Sequence, residues 1–249
     1  MSGHNKWSSI KHRKGAQDAK RGKAFTKISK ELTVAARIGG ADASGNPRLR
    51  LAIANARAAS MPSDTMHRAI KKGTGDLDGG SIEEITYEGY GPGGVGFIIE
   101  AATDNSNRTL SEVRNILEKS GGSLAKNGAV SFNFARKGSI RLDAAKYSEE
   151  QVMEAALEAG ADDVVLEDDS FVVYTGPATF HAVKEALDAK GLESSSAELT
   201  MVPNTTVRAS DSEQARKMLR LIDRLEDNED VQNVWVNFEV PDEIAAALD

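Results

Sequence analysis

Residues 139–202 read SIRLDAAKYSEEQVMEAALEAGADDVVLEDDSFVVYTGPATFHAVKEALDAKGLESSSAELTMV. Short runs rich in Val, Ile, Leu and aromatics, bounded by polar turns, mark strands at 139–142, 163–166, 171–174 and 198–202. Apolar residues at three-to-four spacing mark helices at 149–159 and 177–189. The order βαββαβ is the ferredoxin-like arrangement.

The flanking sequence gives the same order when joined across this unit. Upstream come a strand at 95–103, a helix at 110–120 and a strand at 129–134, where Val130, Phe132 and Phe134 alternate. Downstream come a strand at 205–209, a helix at 212–226 and a strand at 231–238. A further strand at 82–89 pairs with 95–103 as a hairpin around Tyr90-Gly91-Pro92-Gly93-Gly94. The 139–202 unit therefore reads as an insertion in a second α+β domain.

Nearer the N-terminus the period becomes helical. Phe25, Ile28, Leu32 and Ala35 share one face, and Gly39-Gly40 stops the helix. Asn46-Pro47 opens a second helix as cap and first residue. Ser63 is the expected cap of a third, which ends at Lys71-Lys72-Gly73. The fold class is thus multi-domain α+β: an N-terminal three-helix bundle, then two ferredoxin-like domains, the third inserted in the second. The expected boundaries are 1–78, then 79–136 with 204–249, and 137–203.

Charge divides the chain as sharply as periodicity does. Residues 1–75 hold sixteen Lys and Arg against four acids, a net of +12. The remainder holds fifteen against 34, a net of −19. Such asymmetry points to one part that meets a polyanion and another that repels it. The candidate contacts are Lys6, Lys11, His12, Arg13, Lys14, Lys20, Arg21 and Lys23 in an arm, with Lys27, Lys30, Arg48, Arg50, Arg57, Arg68, Lys71 and Lys72 continuing through the helices. Phosphates draw such clusters because each contact releases condensed counterions. Trp7 either stacks on a base or packs on the bundle. A purely solubilising tail is the bland reading, and the cations within the helices argue against it. The arm, with few bulky residues, is expected to be mobile until an anion orders it. A polar second surface is expected at Asn105, Asn107 and Arg108, just before a helix, although N-cap chemistry explains part of that cluster.

Other functional classes find little support. The chain has no cysteine, which excludes disulfides and thiolate chemistry and fits a reducing cytoplasm. No apolar run is long enough to span a bilayer. The histidines His4, His12, His67 and His181 are scattered and suggest no metal site. Gly91-Pro92-Gly93-Gly94-Val95-Gly96 matches a dinucleotide fingerprint in letters, but a strand rather than a helix follows it. No cofactor, no small-molecule substrate and no enzymatic activity are expected. No base-reading helix pair is evident, so structured RNA suits the basic surface as well as duplex DNA does.

Several segments together resemble the YebC/PmpR family of bacterial regulatory proteins, which has a mitochondrial branch. They are Gly3-His4-Asn5-Lys6-Trp7-Ser8 with Ile10-Lys11, then Met61-Pro62 through Arg68-Ala69-Ile70-Lys71-Lys72-Gly73. Tyr87-Glu88-Gly89-Tyr90-Gly91-Pro92-Gly93-Gly94, Thr103-Asp104-Asn105 with Asn107-Arg108-Thr109, and Gly128 to Phe134 complete the match. The resemblance implies a helical domain and two α+β domains enclosing a cleft, and no cofactor. It also implies a cytoplasmic protein, either a DNA-binding transcriptional regulator or a translation factor at the ribosome. Nucleic acid, DNA or ribosomal RNA, is the expected partner, and a protein-interaction scaffold with an incidentally basic tail is the further alternative. The oligomeric state is not legible.

Overall fold

The structure, a computed structural model, describes residues 19–77, 81–167 and 169–248, with the side chains of 19–21 left out. Helix α1 (Ala19–Gly39) begins ahead of the Phe25 start that its apolar stripe suggested. Ala19, Lys20, Arg21, Lys23 and Ala24 are strong helix formers, which accounts for the extension. Helix α2 (Pro47–Ala58) is capped by Asn46, whose Oδ1 accepts from the Leu49 N–H at 3.0 Å. The same side chain donates to the Ala35 and Gly40 carbonyls, tying the start of α2 to the end of α1. Helix α3 (Ser63–Thr74) departs from expectation: Pro62 holds the cap position, Ser63 is the first helical residue, and no side chain caps the helix. The core of the bundle is Leu32, Ala35, Leu49, Ala52, Ala56, Met61, Met66 and Ala69, with Phe25 and Ile28 against it.

Small residues let the helices approach closely. A Cβ at Gly73 on α3 would stand 2.3 Å from the Thr33 carbonyl oxygen and 2.9 Å from the Ala36 Cβ on α1. Thr33 Oγ1 donates to the Ala69 carbonyl at 3.0 Å across the same crossing.

The chain continues as β1 (Glu83–Tyr90), β2 (Gly96–Thr103), α4 (Ser106–Lys119), β3 (Ser123–Ala125), β4 (Phe134–Asp143), α5 (Glu149–Glu158), β5 (Asp163–Glu167) and β6 (Ser170–Thr175). It ends with α6 (Phe180–Ala189), β7 (Ser196–Pro203), β8 (Val207–Arg208), α7 (Ser212–Glu226), β9 (Val231–Val236), β10 (Phe238–Glu239) and α8 (Asp242–Ala245). Two compact units result. One holds Ser131–Thr206 with Asn237–Val240, and the other holds the bundle and the sheet that follows it.

In the first unit the sheet order is β5-β6-β4-β7, every pair antiparallel. That is the ferredoxin-like order for βαββαβ, so the unit at 139–202 folds as its sequence predicts. Helix α5 starts with a capping box between Ser148 and Gln151. The two ends of its 131–206 segment are tied together. Asn133 Nδ2 donates to the Thr205 carbonyl at 2.9 Å, and the Thr205 N–H and Oγ1 donate back to Asn133 Oδ1 at 3.0 and 2.8 Å.

In the second unit the sheet order is β3-β1-β2-β9, again antiparallel. The four-strand, two-helix layout is as expected, but the connectivity differs. The strand anticipated at 129–134 does not form: Ser131–Asn133 is a 3-10 turn and Phe134 opens β4. Val130 and Phe134 are buried while Phe132 is 78% exposed, so the alternating triplet does not line one face. The Glu88 carboxylate instead accepts from the Gly128 and Val130 N–H groups at 2.8 and 2.6 Å. Tyr90 donates to the Ala129 carbonyl at 2.7 Å. Strand β1, from the hairpin, takes the inner place in the sheet and β3 the edge. Of the strand expected at 205–209 only β8 forms, and the one at 231–238 breaks at Asn237. Helix α7 buries Ala215, Met218, Leu219, Ile222 and Leu225 along one stripe. Val34 of α1 meets Ile82 and Ala102 in a small buried cluster, which docks the bundle on this sheet.

Candidate nucleic-acid interface

Lys6, Trp7, Lys11, His12, Arg13 and Lys14 lie outside the described residues, as do the side chains of Lys20 and Arg21. The other basic candidates separate into two groups according to what they touch.

One group is engaged within the chain. Lys23, Lys27 and Lys30 follow one another along α1 at a spacing of three to four residues, so they share a side of the helix. Lys23 pairs with Asp227 at 3.0 Å. The Lys27 ammonium donates to the Glu226 carbonyl at 2.8 Å. Lys30 donates to the Glu229 carbonyl at 2.8 Å and to Asp230 Oδ1 at 2.7 Å. Lys23 and Lys27 therefore sit at the C-terminal end of α7, where unpaired carbonyls and the helix dipole favour positive charge, and Lys30 sits on the turn that follows it. Arg48 is also engaged. Its guanidinium bonds both Glu31 oxygens at 2.7 and 2.8 Å and both Glu84 oxygens at 2.6 and 3.2 Å. The bonds to Glu31, with those to Glu84, outweigh burial and push its pKa upward. Arg50 donates to the Ala43 and Ser44 carbonyls.

The second group faces solvent. Arg57 on α2 and Arg68 and Lys71 on α3 are exposed, and Lys72 is half-buried. No hydrogen bond or ion pair among the described residues uses any of these four side chains.

The polar cluster before α4 is largely structural. Asn105 caps α4, accepting from the Arg108 N–H at 3.0 Å. The Arg108 guanidinium donates to Asp104 at 3.0 Å and to Asp230 at 2.7 Å. Asn107 remains exposed. The centre of this region is a residue the sequence did not single out. Asp230 is almost fully buried and accepts from Lys30, Arg108, Thr103 and Thr109. Burial alone would raise its carboxyl, but the bonds from Lys30, Arg108 and Thr109 outweigh that and lower it to about 2. Nothing in the local sequence marks Asp230, because its partners are more than a hundred positions away.

These elements enclose a cleft of about 1240 Å³ between α1 and α3 on one side and the 104–112 and 228–230 segments on the other. Lys30, Arg68 and Lys72 line it, as do Asp104, Arg108 and Asp230. At Gly91–Gly96 a 3-10 turn over Pro92–Gly94 leads straight into β2, so no α-helix follows that glycine run along the chain. Among the described residues no group of three or more His, Asp or Glu is placed to hold a metal. No described helix is long and apolar enough to cross a membrane.

Fold and cleft define a class: a basic helical bundle joined to an α+β domain that carries a second, inserted α+β domain. Residues 5–76 match the TACO1/YebC protein N-terminal domain, and residues 82–238 match the TACO1/YebC second and third domain. The chain belongs to the TACO1/YebC family. A probable transcriptional regulatory protein of Syntrophobacter fumaroxidans is 55% identical over 244 residues, 98% of each chain. Another from Geobacter sulfurreducens is 56% identical over 243 residues, again 98% of each. The crystal structure of a conserved hypothetical protein from Aquifex aeolicus superposes with a TM-score of 0.84 at 47% identity, covering 91% of this chain and 93% of that one.

Proposed function

We propose that this protein is a non-enzymatic, cytoplasmic regulator of gene expression that binds nucleic acid through its helical domain. The observation that carries the reading is the exposed set Arg57, Arg68 and Lys71, which has no intrachain partner among the described residues, on a segment of net charge +12. Cations left in water and unpaired are available to phosphates, and each phosphate contact adds affinity by releasing counterions. The name that the relatives carry, probable transcriptional regulatory protein, supports DNA as the partner. The N-terminal arm adds further cations to the same domain.

Titration of duplex genomic fragments at several salt concentrations tests this. The triple variant Arg57→Gln, Arg68→Gln, Lys71→Gln is expected to bind every fragment more weakly and with a shallower salt slope. Equal affinity and slope for variant and parent would sink the reading. Sedimentation of the protein with ribosomal particles, abolished by RNase, would move the target from DNA to ribosomal RNA.

A further inference from the structure

The cleft carries opposite charge on its two walls, and that polarity constrains what fits it. On the bundle wall stand Arg68 and Lys72, four residues apart on α3 and therefore side by side. Lys30 on the same wall is closed by Asp230, and Arg108 on the other by Asp104 and Asp230, so among the described lining residues Arg68 and Lys72 are the cations left for a ligand. On the opposite wall Asp104 and Glu112 are exposed. Asp104 Oδ1 accepts from Arg108 at 3.0 Å and Glu112 Oε2 from the Asn228 amide at 2.6 Å, and the second oxygen of each carboxylate has no partner among the described residues. Phe25, Leu77 and Ile82 add apolar side chains to the lining. The volume of about 1240 Å³ is ample for a group of nucleotide size, since small-ligand sites occupy about 300–1,000 Å³.

An anion alone would leave the acidic wall unused, and a cation alone would leave Arg68 and Lys72 unused. The ligand must carry an anion at one end and hydrogen-bond donors at the other, with a flat apolar body between. An unpaired nucleotide meets all three conditions. Its phosphate matches the guanidinium fork of Arg68 with Lys72 beside it. The exocyclic amine of cytosine or adenine is a donor that a carboxylate accepts. A duplex keeps its bases stacked inside the helix and presents phosphates on a convex surface, so it offers the cleft phosphates and no single base to enclose. We propose that the cleft receives one unpaired nucleotide of a single-stranded or looped nucleic acid, its phosphate on Arg68 and Lys72 and its base edge on Asp104 and Glu112. The proposal rests on the nucleic-acid reading above and specifies the form of the partner.

Fluorescence anisotropy of the full chain with oligocytidylate, oligouridylate and a duplex of the same length tests it. Uracil offers a carbonyl where cytosine offers an amine, so oligocytidylate is expected to bind at least about fivefold more tightly than oligouridylate. Glu112→Gln or Asp104→Asn is expected to erase most of that ratio while leaving the duplex unchanged. Arg68→Gln with Lys72→Gln is expected to weaken single strands more than duplex, and Arg57→Gln, outside the cleft, to weaken both alike. Using both Glu112→Gln and Asp104→Asn, each with a thermal melting curve, separates loss of binding from loss of fold. A cytosine-to-uracil ratio near one, or one that both carboxylate variants leave untouched, overturns the cleft proposal and leaves the nucleic-acid reading standing. No binding of any probe by the parent protein overturns both.

Discussion

Lys30 and Asp230 stand 200 positions apart in the chain and meet at 2.7 Å, with 17% and 6% of their side chains exposed. The pair joins the first helix of the bundle to the turn before the last strand of the sheet. A helix cation that sequence reading offers to phosphates is thereby part of the joint between bundle and sheet.

Removing the charge of Asp230 should weaken the fold. Its carboxyl is held at about 2 in the folded chain, below the ordinary value of 3.8. A depressed pKa contributes stability that is present above the unfolded value and lost as pH falls from about 4 towards 2, here about 2 kcal/mol. Asp230→Asn is expected to cost about that much at pH 7 and to flatten the acid limb of the stability curve. Parallel acid limbs for parent and variant, in urea melts between pH 2 and 5, would exclude the linkage.

Lys30→Met and Arg57→Gln should separate stability from binding. Lys30 serves the joint, so its loss is expected to lower the denaturation midpoint and barely change the salt slope of nucleic-acid binding. No hydrogen bond or ion pair among the described residues uses the Arg57 side chain, so the reverse is expected, with a stability change within about 0.5 kcal/mol. The same ranking of the two variants in both assays would show that α1 and α2 play one role.

The N-terminal arm should carry sequence-independent affinity. Replacing Lys11, Arg13 and Lys14 with Ala is expected to reduce the logarithmic salt slope on duplex DNA by roughly 2.7 if all three meet phosphates. An unchanged slope would take the arm out of the interface.

Gly73→Ala tests the crossing of α1 and α3. Alanine within a helix normally gains about 0.5–1 kcal/mol over glycine. Here the added Cβ would lie 2.3 Å from the Thr33 carbonyl oxygen, and overpacking of that kind costs about 1–3 kcal/mol. The clash is expected to win, giving a net loss of about 1–2 kcal/mol in chemical denaturation. A stabilised variant would mean that the helices separate easily.

Local periodicity determined much of this protein. Phe25, Ile28, Leu32 and Ala35 share a face in any helix, and that face is the one the bundle buries. The βαββαβ unit at 139–202 was legible because each strand and helix there buries its own pattern and pairs with near neighbours. The charge asymmetry needed only counting. Tertiary structure decided the rest, for reasons of distance. Val130, Phe132 and Phe134 alternate as a strand does, yet Glu88, 42 residues before Val130, takes the backbone N–H of Val130 and breaks the ladder. Lys23, Lys27 and Lys30 look in every local respect like Arg57, Arg68 and Lys71, which have no hydrogen-bond or ion-pair partner among the described residues. What separates them is the end of a helix and the turn after it, nearly two hundred residues downstream, whose carbonyls and carboxylates arrive only when the chain folds. Sequence alone placed the positive charge in this protein, and tertiary structure alone decided which of those charges remain available to a partner.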